Sequence, residues 1–159
     1  MRAACQKLCM SKSPQITQLG PTEIQQLAQF GAESSGQNIR VNMVNMLGTI
    51  GQVSTGPGQV LIANFLIEAA TRDAQLKVVS EALDKIFDMF AEDETDALAV
   101  EVDLVTKLKK LQPGFKTKMS VYKQNHGAKN ADTETIAMAN MAKANLGRFI
   151  KYKEKRFKK

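Results

Sequence analysis

Apolar residues recur at three- and four-residue steps along most of this chain, which is the period of helices buried on one side. The pattern is clearest from Leu76 to Phe90. There Leu76, Val79, Leu83, Ile86, Phe87 and Phe90 share one face, and Lys77, Glu81, Asp84, Lys85 and Asp88 share the other. Glu81 and Lys85 stand in the favourable i,i+4 order. Asp73 occupies the position expected of an N-cap, its carboxylate placed to accept from N–H groups of the first turn. Just upstream, Val60, Leu61, Ile62, Phe65, Leu66 and Ile67 are apolar on most sides, so a helix from Gly58 to Thr71 should be covered on both flanks. The very short connection makes these two helices antiparallel neighbours. Burying Leu83, Ile86, Phe87 and Phe90 contributes roughly 1.5–3 kcal/mol each before conformational entropy is subtracted, which makes this pair the expected centre of the core.

Other elements follow from the same periodicity. Thr22 with Gln25 forms a capping-box pattern ahead of Ile24, Leu27, Ala28 and Phe30, a short helix that Gly31 should end. A helix from Asn38 to Ile50 places Ile39, Met43, Leu47 and Ile50 on one side, and Gly48 beside Val44 should admit a neighbouring helix closely. The glycines between Gly51 and Gly58 invite a phosphate-cradle reading, but no strand precedes them and no Gly-Lys-Ser/Thr follows. After an acidic turn, a helix carries Leu98, Val102, Val105, Leu108 and Leu111, and Pro113 should break it. A short element from Phe115 to Tyr122 and a loop from Lys123 to Ala131 come next, the latter holding His126 in solvent. The last helix begins near Asp132, with Ile136, Met138, Met141, Ala142, Leu146, Phe149 and Ile150 as its buried face. Residues 1–20 read as a disordered lead, residues 21–151 as the helical array and residues 152–159 as a basic tail.

Composition narrows the class. Nothing suggests a sheet, so the expectation is all-α. Cys5 and Cys9 lie more than a hundred residues from His126, the sole histidine, so a zinc site lacks ligands and neither metal nor cofactor is expected. The apolar run Val60 to Ile67 is far shorter than the roughly 20 residues that span a bilayer, and the start of the chain lacks a secretory apolar core. A soluble intracellular protein is expected. No nucleophile–base constellation or paired carboxylate in an apolar setting assembles, which argues against an enzyme.

The net charge of +6 conceals a split. From Leu104 to Lys159 there are 15 Lys/Arg against 3 Asp/Glu, a net of +12, whereas the chain up to Asp103 carries 7 basic and 13 acidic residues, a net of −6. Two surfaces of opposite sign follow, each suited to a different partner.

The expected helix starts, near 22, 38, 58, 73 and 95, place the first members of successive pairs 36 and 37 positions apart and the second members 35 apart. A repeated unit of two antiparallel helices at that spacing predicts an α-solenoid. The run from Ile39-Arg40 through Leu47-Gly48 looks like the second helix of a HEAT repeat. Three further segments are more specific: Glu81 to Ala91, Leu111 to Lys118 with its Gln-Pro-Gly-Phe-Lys, and Asn145 to Tyr152 with its Leu-Gly-Arg-Phe-Ile-Lys. In order and spacing, over about Pro21 to Glu154, they resemble the C-terminal part of the symportin family, that of HEAT repeat-containing protein 3.

That resemblance implies a non-enzymatic adaptor that holds the large-subunit ribosomal proteins destined for 5S rRNA. It also implies their escort into the nucleus with an importin and support of ribosome assembly, hence residence in cytoplasm and nucleus. Because family members are several times longer and carry their importin signal elsewhere, the chain is expected to be one portion of such a solenoid. The expected client surface is Asp88, Glu92, Asp93, Glu94 and Asp96, since acidic groups can imitate the phosphates that basic clients await. The alternative is an RNA-binding helical module acting through Lys109, Lys110, Lys116, Lys118, Arg148, Lys151, Lys155 and Arg156, with Lys107, Lys153, Lys158 and Lys159 nearby and Tyr152 and Phe157 available for stacking.

Overall fold

The computed structural model describes residues 22–26, 29, 36–54, 56–92, 98–130 and 132–158, without side chains for 98 and 128–130. The readings made for the lead segment, for Leu27, Ala28, Phe30 and Gly31, and for Asp93, Glu94 and Asp96 lie outside these residues. Five helices are described: α1 Gln37–Val53, α2 Pro57–Arg72, α3 Leu76–Met89, α4 Leu98–Asn130 and α5 Thr133–Phe157. A helical stretch at 22–26 precedes them, with Ile24 buried.

Local chemistry sets their ends. Pro57 opens α2, where its missing N–H costs nothing. Gly56 before it has φ 61°, a conformation that side chains with a Cβ rarely adopt. Ser54 closes α1, its backbone N–H and its hydroxyl both donating to the Ile50 carbonyl. Asp132 caps α5, accepting from the Glu134 N–H and the Thr135 hydroxyl. Those hydrogen bonds, the Thr135 one foremost, hold its carboxyl below the ordinary value.

Consecutive helices pack as pairs in two layers, as a HEAT-like repeat array requires. α1, α3 and α5 lie side by side in one layer; α2 and α4 adjoin in the other. α3 is central, touching α1, α2 and α5, and Val78, Val79, Ala82, Leu83 and Ile86 on it are fully buried. α2 is covered by α1, α3 and α4, as its broad apolar surface demands. The close approach expected at Gly48 is present: a Cβ there would fall 2.5–2.6 Å from the Lys85 side-chain carbons.

Several sequence expectations are corrected. Asp73 ends α2 instead of capping α3; its carboxylate accepts from the Gln75 N–H and pairs with Arg40 across the array. Pro113 does not break α4, because Leu104, Leu108, Leu111, Phe115 and Met119 continue one buried stripe straight through it. Packing of that stripe outweighs the roughly 3 kcal/mol a mid-helix proline costs. Helical backbone also runs through most of the expected 123–131 loop, departing at Gly127, φ 63°. The exposed His126 stacks on the Tyr122 ring there. With α4 this long, the third pair exceeds the spacing of the first two. The buried faces also turn: Val102 and Met141 are exposed, while Glu101 and Ala139 take inward positions. Finally, residues 152–157 continue α5 instead of forming a tail, anchored by buried Lys153.

Candidate interaction surfaces

Of the acidic candidates, Asp88 lies in the last turn of α3 and Glu92 just beyond it. Both are exposed. On the same helix the half-buried Asp84 carboxyl is pushed up to about 6, by burial first and then by Glu81 and Asp88, with Lys85 acting in the opposite direction. This surface therefore repels further negative charge and favours a cation.

The basic candidates separate into two groups. The first group makes contacts within the fold. Lys153 is 1 % exposed and its Nζ donates to Glu101 Oε1 at 3.1 Å, Glu101 itself being 1 % exposed. Arg156 donates to the other oxygen, Glu101 Oε2. Lys118 donates to the Ala70 and Thr71 carbonyls at the end of α2, satisfying acceptors the helix leaves over, and its burial lowers the ammonium pKa. Lys109 pairs with Glu154, tying α4 to α5, and Lys107 bridges Asp103 and Asn64.

The outward group comprises Lys110 and Lys116 on α4 and Arg148, Lys151 and Lys155 on α5, all exposed. Sequence reasoning could not separate the two groups, because a lysine looks alike whether it meets water or a buried carboxylate. The one available signal was Glu101, which falls on the apolar stripe of α4 and so needs a cation.

A cleft of about 840 Å³ opens between the 22–29 segment, α1 and α2. Met43, Leu47, Phe65 and Val78 line it, and the Arg40–Asp73 pair, 2.7 Å apart, lies at its edge. Sequence patterning did not indicate it. Among the described residues no group of three or more His, Cys, Asp or Glu is placed to hold a metal ion. No described helix is long and apolar enough to cross a membrane.

Comparison with known proteins gives a consistent answer. The family described as SYO1-like, TPR repeats, matches residues 1–157. The mouse protein named HEAT repeat-containing protein 3 is 36 % identical over 160 residues, and its human counterpart 34 % identical over 160 residues. Each alignment takes in 97 % of this chain but 23 % of the relative, so the chain spans about a quarter of their length. No solved structure matches. The family is one of helical-repeat scaffolds, typically non-catalytic, and this chain belongs to it.

Proposed function

We propose that this chain is part of a non-enzymatic adaptor that holds the large-subunit ribosomal proteins destined for 5S rRNA, for nuclear import with an importin and for ribosome biogenesis. The observation that carries this reading is the family match across residues 1–157. Two features of the fold suit it. Stacked helix pairs present a long continuous surface without needing an enclosed pocket. The exposed Asp88 and Glu92, backed by the electronegative Asp84 site, offer carboxylates to a basic client. Such an adaptor works in cytoplasm and nucleus.

The test is a tagged pull-down from cell extract, with and without RNase, read by mass spectrometry. Ribosomal proteins of the 5S particle should remain bound after RNase, and charge reversal at Asp88 and Glu92 should reduce their recovery. Loss of those proteins on RNase treatment would overturn the reading.

A further inference from the structure

We propose that the outward ridge of the last turns of α5, formed by Arg148, Lys151, Tyr152 and Lys155, binds single-stranded RNA. The three cations hold phosphates, and the tyrosine ring stacks on an unpaired base. This site is independent of the adaptor reading and involves a different class of ligand.

Spacing places the four on one line. Positions 148, 151, 152 and 155 are i, i+3, i+4 and i+7, which share a helix face, and they span about 10 Å of axis. All four are exposed, Tyr152 by 53 %, with the Lys153 Nζ 5.8 Å from the centroid of its ring. Their direction is fixed from the flank. Lys153 and Arg156, the latter one turn beyond Tyr152, both reach the buried Glu101, so an ionic contact beside the ridge sets the rotation of the final turns.

The ridge is also uniform in sign. Beyond Glu134 in its first turn, α5 has one acidic residue, Glu154, which flanks the ridge one turn beyond Lys151 and has its charge met by Lys109. Among the described residues no ion pair engages Arg148, Lys151 or Lys155. A polyanion is therefore the complementary partner. The tyrosine decides which polyanion. An acidic peptide would need only the cations, whereas an exposed ring flanked by cations at i−4 and i+3 is a stacking platform beside phosphate contacts. Stacking of that kind requires an unpaired base, so a single strand fits and a duplex does not.

The experiment is fluorescence anisotropy of a short labelled oligouridine strand with the purified chain, across ~50 to ~200 mM salt. An RNA duplex of equal length and a polyglutamate peptide serve as competitors. The single strand should bind best, with affinity falling steeply as salt rises. Changing Arg148, Lys151 and Lys155 together to Gln should flatten the slope of log affinity against log salt by about 2, given roughly 0.7 per phosphate contact. Tyr152→Ala should weaken the single strand about tenfold and Tyr152→Phe should not. Lys110→Gln with Lys116→Gln, which removes exposed charge from α4 instead, should change little. All these positions are exposed, and circular dichroism would verify that each variant keeps its fold. Equal or better binding of duplex or polyglutamate would overturn the proposal. So would indifference to Tyr152→Ala, an α4 effect as large as that of α5, or no measurable binding to the single strand.

Discussion

Where α1 packs on α3, Gly48 and Gly51 turn bare backbone toward Lys85 and Met89, amid the buried Met43, Val44, Leu47, Val78 and Ala82. Where α4 packs on α5, a comparable depth holds a carboxylate and an ammonium, Glu101 and Lys153, with the partly exposed Arg156 guanidinium at their edge. Both regions join neighbouring helices of one array, yet they are vulnerable to different changes. The first depends on close fit and apolar burial, so it does not tolerate added charge, and it tolerates added volume only where the facing atoms can move. The second depends on charge compensation, so it tolerates the loss of both partners better than the loss of one.

The largest effect belongs to the apolar region. Leu83 is fully buried on α3, and Leu83→Asp would bury an unpaired charge at the centre of the array. The expected penalty rivals the whole stability of a domain of this size, about 5–15 kcal/mol, so urea titration followed by circular dichroism should show no cooperative transition. Next comes the ionic region. Glu101→Gln strands Lys153 without a counter-charge and should cost about 3–5 kcal/mol in chemical denaturation. Glu101→Leu combined with Lys153→Met should recover much of that, since an apolar pair of similar volume often replaces a buried ion pair without loss. Additive losses in the double variant would show that the two regions do not differ as described.

A smaller contrast lies within the close-packed region itself. A Cβ at Gly48 meets Lys85 from Cδ down to the backbone-held Cβ, whereas one at Gly51 meets chiefly the flexible Sδ and Cε end of Met89. Gly48→Ala should therefore destabilise by about 1–3 kcal/mol through overpacking. Gly51→Ala should be close to neutral, its strain offset by the roughly 1 kcal/mol gained in helix propensity. Thermal melts of the two variants side by side would decide.

The smallest effect concerns pH. With the Asp84 carboxyl raised from 3.8 to about 6, the folded chain holds that proton more tightly than the unfolded chain does. Its contribution is therefore favourable at low pH and is lost as pH rises from about 4 through 6. Asp84→Asn should flatten that part of the stability profile. At neutral pH it should add on the order of 1 kcal/mol, after allowing for screening by water at this half-exposed site. An unchanged profile would assign the dependence to other carboxylates.

The same contrast explains what was legible in the sequence. Fit and burial follow periodicity, so the face of α3, the covering of α2 and the approach at Gly48 were readable from spacing alone. Charge compensation does not follow periodicity. Glu101 lies on the buried stripe of α4, one step from Val102, and reading the stripe as purely apolar turned that helix slightly and exposed the wrong residues. Lys153 and Arg156, partners 52 and 55 positions away, looked like part of a solvated tail for the same reason. Pro113 misled in the opposite sense, because a local rule was outweighed by an apolar stripe that continued beyond it. Of the candidate surfaces, the sign of each was legible. Which cations face outward was settled only by tertiary contacts.

Glu101 also has a temporal role. It lies near the start of α4 and its partners lie near the end of α5, so in this antiparallel hairpin the ionic contact sits at the open end, opposite the connection near Asp132. A hairpin that assembles from its connection outward forms such a contact after the transition state. Removing it then accelerates unfolding and leaves the folding rate nearly unchanged. In a chevron plot of Glu101→Gln, the unfolding arm should rise while the folding arm stays in place. The buried charges would thus set how long α5 stays docked, while the apolar stripe sets how quickly it arrives.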